Sequence, residues 1–161
     1  MVTVTRGKVY VETSVISYLT ARPSRDLITA AHQQITHEWW ETYAPQYDLF
    51  VSQLVIQEAM AGDAQAATQR LQVLTDLPLL AMQEDVRTLA RVLVQHGGLP
   101  AKAIEDALHI AVATIHGMNY LVTWNCKHIA NATTRTAIAD ICQAQGYESP
   151  VICTPEELME E

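Results

Sequence analysis

Glu12, Asp106 and Asn125, side chains suited to holding a cation, stand where the chain passes between strand and helix, and Glu58 is a fourth that could join them. Brought together, several carboxylates repel one another and lose hydration, which ordinarily forces protonation. A divalent cation removes that obstacle. All-oxygen ligands suit the hard ions Mg²⁺ and Mn²⁺, which activate water and stabilise the charge of in-line phosphoryl transfer. The chemistry implied is hydrolysis of a phosphodiester.

The elements that must position these groups can be read in order. Lys8-Val9-Tyr10-Val11 is a β-branched and aromatic run that stops at Glu12-Thr13-Ser14, so a carboxylate closes the first strand. From Ser24, as N-cap, to Tyr43, the residues Leu27, Ile28, Ala31, Ile35 and Trp39 recur at three- and four-residue steps and predict an amphipathic helix. Asp48 to Val51 is a second strand. It leads through Ser52 into a helix that carries Glu58 and stops near Gly62. Asp63 opens a helix through Leu74, Leu79 to Met82 is strand-like after Pro78, and Glu84 to Gln95 is helical before Gly97-Gly98.

Ala101 to His116 is apolar on nearly every face beyond its first turn, the pattern of a buried central helix, and Asp106 lies near its start. Gly117 ends that helix. A strand at Tyr120 to Thr123, a helix from Asn131 to Gln145 and a short strand at Val151 to Cys153 follow. Strands separated by helices of this length imply an α/β fold with three α/β/α layers and a mainly parallel central sheet. In such sheets active sites gather beyond the carboxyl ends of the strands. Topology therefore predicts that Glu12, Asn125 and Asp106 converge.

The chain has 161 residues, about half of them apolar, which predicts a single domain spanning residues 1–161. Its longest apolar stretch, Ala107 to Ile115, is interrupted by His109 and Thr114 and falls well short of the roughly 20 residues a membrane span needs. Met1 to Lys8 lacks a long apolar signal core, so a cytoplasmic protein without membrane association is expected. Cys126, Cys142 and Cys153 are odd in number and widely spaced, which predicts reduced thiols rather than a disulfide framework or zinc knuckle. The formal net charge of −8 opposes broad attraction to nucleic acid. An RNA substrate would need a cation to offset that charge locally.

Four segments carry a family resemblance in the right order: Val-Tyr-Val-Glu12-Thr-Ser-Val-Ile-Ser, Gln-Glu58-Ala, Glu105-Asp106-Ala-Leu-His-Ile-Ala, and Leu-Val-Thr123-Trp-Asn125-Cys-Lys-His-Ile-Ala-Asn131. Together they resemble PIN-domain ribonucleases of the VapC toxin type. The resemblance implies a Mg²⁺- or Mn²⁺-dependent endoribonuclease that cuts RNA, forms a homodimer and is held inactive by a small antitoxin protein. It makes Glu12, Glu58, Asp106 and Asn125 the catalytic and metal-binding positions. It also makes Thr13, Glu105 and Thr123 supporting or substrate contacts. The family pattern has aspartate where this chain has Glu12 and Asn125: the first change adds a methylene, the second removes a charge. Those departures define the alternative, a catalytically degenerate PIN domain that binds RNA or protein without cutting.

Other residues have simpler readings. His109 lies four residues after Glu105 and three after Asp106, a spacing that allows a carboxylate–imidazole site, but a core histidine hydrogen-bonded in place is favoured. Lys127 and His128 are placed either to contact phosphate or to begin a helix. Trp39, Trp40, Tyr43 and Tyr47 read as core or interface aromatics and mark a candidate dimer or antitoxin surface. A Rossmann-type nucleotide binder is excluded because Glu12-Thr13-Ser14 stands where a glycine-rich turn would follow the first strand. A receiver-type phosphoacceptor is disfavoured because the first strand ends in a single acid and none follows the Asp48 strand directly.

Overall fold

The structure, a computed structural model, describes residues 6–159, so residues 1–5 of the N-terminal segment read above lie outside the described residues. Among the described residues five strands form one sheet: β1 (Lys8–Val11), β2 (Asp48–Ser52), β3 (Leu79–Leu80), β4 (Tyr120–Val122) and β5 (Val151–Cys153). Their order is β3-β2-β1-β4-β5, and every pairing is parallel. The central strand β1 pairs Tyr10 with Phe50 on one side and with Leu121 on the other. Strand order therefore reverses direction at β1, and the carboxyl ends of β1 and β4 flank the switch point where doubly wound sheets bind ligands.

Seven α-helices occur among the described residues: α1 (Thr13–Thr20), α2 (Leu27–Glu38), α3 (Gln53–Ala59), α4 (Ala64–Leu74), α5 (Glu84–Gln95), α6 (Ile104–Ile115) and α7 (Ala132–Ala144). Helix α1 packs on α2, α3 and α4, while α5 packs on α6 and α7. Right-handed crossovers put these two groups on opposite faces of the sheet. Both faces of β1 are accordingly covered: Val9, Tyr10 and Val11 are all fully buried, although alternate strand residues point to opposite sides. Among the described residues no helix is long and apolar enough to cross a membrane.

Helix α6 is the buried central helix its composition predicts, with Ala107 and an unbroken run from His109 to Thr114 buried. It stops at Gly117, whose φ of 68° is left-handed and open to glycine without the steric penalty a Cβ would bring. A short 3₁₀ turn, Ala101–Ala103, precedes it, so Asp106 lies in its first turn.

Several boundaries differ from expectation. Asp26, not Ser24, caps α2: its carboxylate accepts the Thr29 amide at 2.9 Å, and Ser24 Oγ instead accepts the Asp26 amide at 3.1 Å. The helix ends at Glu38 and loosens into a π-helical segment, Trp39–Tyr43. The apolar stripe read along it is only partly inward, for Leu27 and Ile28 are 85% and 70% exposed. Of the two readings of the aromatics, core or interface, the structure shows the first. Trp39 and Tyr47 are buried and Trp40 and Tyr43 pack against the core, so they hold the end of α2 in place. Strand β3 is two residues long rather than four, and Thr123 lies just beyond β4. Helix α1, directly after Glu12, had no clear sequence signal.

Candidate metal centre

Glu12 is fixed by the backbone before its side chain does anything. Its amide donates to Val122 O at 3.1 Å, extending the β1–β4 pairing by one residue, and its carbonyl accepts from Val15 to begin α1. The carboxylate then turns back to cap that helix, with Oε2 accepting the Ser14 amide at 3.2 Å. A negative charge there is favoured by the helix N-terminus. Oε1 accepts the Ser14 and Thr123 hydroxyls, both at 2.5 Å. Each hydroxyl has one proton, so each is left to accept: Ser14 Oγ from Trp124 N at 2.8 Å, and Thr123 Oγ1 from Asn125 N at 2.9 Å. The loop leaving β4 is thereby tied to the acid closing β1. Trp124 anchors that loop further, donating its indole N–H to Thr36 Oγ1 at 2.7 Å and stacking on His32 of α2.

Glu58 reaches the same edge from α3, in its second turn after Ser52. Its Oε1 accepts the Thr13 hydroxyl at 2.5 Å and faces His109 Nε2 at 2.7 Å. One ligand atom from each of Glu12, Glu58 and His109 lies within 4.8 Å of the other two. Burial works to raise the Glu58 pKa, but the hydrogen bond and charge of His109, with the Thr13 hydroxyl, outweigh it and hold this carboxyl below its ordinary value. Burial likewise works to lower His109, while the hydrogen bond to Glu58 and the nearby charges of Glu12, Glu58 and Asp106 bring it above the usual histidine value. The other ring nitrogen, Nδ1, is 2.7 Å from Tyr10 Oη, which also lies 2.8 Å from Ser52 Oγ. Burial, reinforced by Glu12 and Glu58 and only partly offset by the Ser52 hydrogen bond, keeps that phenol protonated well beyond its ordinary range.

Asp106 is held differently. Its Oδ1 accepts the Asn125 side-chain amide at 3.1 Å and its Oδ2 faces His128 Nδ1 at 2.8 Å. The Asn125 side-chain oxygen is committed elsewhere, accepting the His128 backbone amide at 3.1 Å. That donor needs an oxygen, which fixes the orientation of the amide and turns its nitrogen toward Asp106. Asn125, expected as an oxygen ligand, therefore presents N–H groups to the acid beside it.

The structure thus sets two hydrogen-bonded groups side by side, Glu12 with Thr123 and Glu58 with Thr13 and His109, whose ligand atoms approach within 4.8 Å. Asp106 and Asn125 form an adjoining pair, with Asp106 three residues before His109 on α6. Glu105 is exposed and takes no part in either. Of the two basic candidates, Lys127 is exposed and His128 contacts Asp106. Ser14, Tyr10, Ser52 and Trp124 were not singled out from sequence. Signals existed for two of them: Tyr10 lies two residues before Glu12 and so shares its face of the strand, and Ser14 stands at a capping distance from Glu12.

The donor set fits a divalent cation. Glu58 Oε2 accepts no hydrogen bond from the described residues, and Glu12 Oε2 accepts only the long one from Ser14, so each carboxylate keeps an oxygen available. Glu12 and Glu58 would hold the ion, with Asp106 on the α6 side. The 500 Å³ groove between α3, α5 and α6, lined by Leu54, Met82, Ile104 and Leu108, contains none of these acids.

Comparison with known proteins identifies the family and the fold. The PIN domain family matches residues 9–130, most of the chain, and the chain belongs to that family. No curated protein matches its sequence. Among solved structures it is similar to VapBC2 from Rickettsia felis bound to a DNA fragment from its promoter, with a TM-score of 0.59 at 14% identity over 91% of this chain and 98% of that one. It is also similar to VapC20 of Mycobacterium tuberculosis, a Sarcin-Ricin loop cleaving toxin, with a TM-score of 0.58 at 18% identity over 76% of this chain and 93% of that one. At such identities the likeness is one of fold.

Proposed function

We propose that this protein is a metal-dependent endoribonuclease of the VapC type, a cytoplasmic toxin that works as a homodimer and is restrained by a small antitoxin. The observation that carries the reading is the meeting of Glu12 and Glu58 at the carboxyl edge of the sheet, with ligand atoms within 4.8 Å of each other, Glu58 Oε2 accepting no hydrogen bond from the described residues and Glu12 Oε2 only the long one from Ser14. Membership of the PIN family supports nuclease chemistry. The likeness to VapC20 favours RNA as substrate, and the likeness to VapBC2 favours a toxin–antitoxin pair. A divalent ion, when bound, supplies charge neutralisation and an acidified water for in-line attack on the phosphodiester.

The chain's own residues prepare that chemistry. Thr13, Ser14, Thr123 and His109 each hold a carboxylate oxygen on the buried side, leaving the opposite oxygen for the ion. His128 and Asn125 orient Asp106. The formal charge of −8 opposes broad attraction to RNA, and a bound cation would offset it locally at this edge.

Purified protein is expected to cleave RNA with Mn²⁺ or Mg²⁺, to lose that activity with chelator, and to lose it in Asp106→Asn. Equal cleavage by the variant would sink the reading. A second reading, a PIN domain that binds RNA or protein without cutting, is favoured by one observation: Asn125 turns an amide nitrogen, not a carboxylate, toward Asp106. Calorimetric titration separates the two, since the degenerate reading expects no Mn²⁺ binding at millimolar metal.

A further inference from the structure

We propose that His109 is a positioning residue that fixes Glu58 for metal binding, through a buried chain running Ser52, Tyr10, His109, Glu58. The proposal rests on the metal-centre reading above.

Both ring nitrogens of His109 are used. Nε2 faces Glu58 Oε1 at 2.7 Å, and Nδ1 faces the Tyr10 hydroxyl at 2.7 Å. An ionised carboxylate can only accept, so Nε2 carries a hydrogen directed at Glu58 and has no lone pair to offer an ion. Nδ1 is closed off by Tyr10, and the ring is fully buried on α6. Two of the three residues behind Glu58 come from the sheet, since Tyr10 is on β1 and Ser52 ends β2. The orientation of Glu58 is therefore referenced to the sheet rather than to its own short helix. Thr13 adds a second donor to the same oxygen, so Oε1 is saturated from the buried side and Oε2 is the atom left to the ion.

Such support matters more here than in a site with a full set of acids. Asn125 contributes no charge, and Glu12 is long enough to bend back as a helix cap. With fewer charges to attract the ion, affinity depends more strongly on how well the remaining carboxylates are pre-placed. Loss of an outer partner of a metal ligand typically lowers affinity about 10- to 100-fold.

The test is Mn²⁺ titration calorimetry on the full chain, with thermal unfolding in chelator as the control for folding. His109→Leu should weaken Mn²⁺ binding by about 10-fold or more, Tyr10→Phe by about threefold, and His109→Gln, whose amide can still donate to Glu58, should stay within about threefold of the parent. Parent-like binding by His109→Leu overturns the proposal and leaves the metal-centre reading intact. A folded His109→Gln that falls as far as His109→Leu overturns it in favour of direct ligation by the imidazole. If His109→Leu does not fold, Tyr10→Phe decides: unchanged Mn²⁺ affinity overturns the proposal, a loss supports it. No Mn²⁺ binding by the parent protein overturns both the proposal and the reading beneath it.

Discussion

At the carboxyl edge of the sheet, Glu12 and Glu58 are gripped by hydroxyl and imidazole donors from well-packed residues, whereas Asp106 is gripped by Asn125 and His128 from a partly exposed loop. His109 is fully buried, but the His128 side chain is 19% exposed and that of Asp106 21%. The donors of the first half are built into the core and cannot change without disturbing it, although the Glu58 carboxylate they hold is itself 28% exposed. The second half is a clamp laid over the surface. The difference teaches that residues with equal claims on the chemistry need not have equal claims on stability, because an unmet donor costs most where water cannot replace the lost partner.

The largest effects should separate the halves. Glu58→Ala and Asp106→Asn are both expected to lower metal-dependent RNA cleavage by roughly 100-fold or more, the scale of losing a preorganised charge at a reacting centre. Only Glu58→Ala should also destabilise, by about 1–3 kcal/mol, because it strands the His109 Nε2 and Thr13 donors. Asp106→Asn keeps its surroundings and should stay within about 0.5 kcal/mol. Urea unfolding of the metal-free proteins measures this, and equal shifts in the midpoint would break the comparison.

Asn125→Asp sharpens it. A second carboxylate would stand where the amide now meets Asp106 at 3.1 Å, while its oxygen could still accept the His128 amide. Mn²⁺ affinity should rise by about tenfold, since charge count tunes such sites, and the metal-free protein should become slightly less stable through like-charge repulsion. Unchanged affinity by calorimetry would show that charge is not what limits the clamp.

Thiol reactivity offers a smaller contrast, between the loop that carries Asn125 and the core. Cys126, next to Asn125, is exposed, while Cys142 and Cys153 are buried. Burial, with Glu157 nearby, pushes the Cys153 thiol up to about 12, and burial raises Cys142 as well. Mass spectrometry after brief alkylation should find Cys126 modified in the native protein and the other two only after denaturation. Early labelling of Cys153 would show that the β5 edge opens.

The smallest effect concerns Asp26, remote from both halves and fully exposed. Its hydrogen bonds from the Thr29 amide and hydroxyl favour the carboxylate and hold its pKa below the ordinary value. Its contribution is therefore present above the unfolded-state carboxylate pKa and is lost as pH falls through the folded-state value. Asp26→Ala should lower Tm at neutral pH, with the deficit closing in acid. A deficit that persists at low pH would mean the cap acts through something other than charge.

Much of this was legible along the chain. Patterns of two and of three to four residues located all five strands and six of the seven α-helices, and the apolar character of Ala107 to Ile115 identified α6 as central. Glu12 stood out because it ends a strand, and Asp106 because it opens so apolar a helix. Helix α1 was missed because its eight residues mix polar and β-branched types and are held by packing and the Glu12 cap rather than by propensity. The outward turn of Leu27 and Ile28 was missed for a related reason: periodicity reports that a stripe exists, and only the docked neighbours show how much of it is covered.

The sequence by itself determined the alternating architecture, the parallel sheet and the presence of acids at the ends of its elements, because those follow from local periodicity and from the connectivity rules of strands and helices. Only the tertiary structure decided how the acids are held. Tyr10 meets His109 across 99 positions, Thr123 meets Glu12 across 111, and His128 meets Asp106 across 22. Contacts at such separations depend on which strands become neighbours and on their register, and no local pattern encodes which hydroxyl will find which carboxylate.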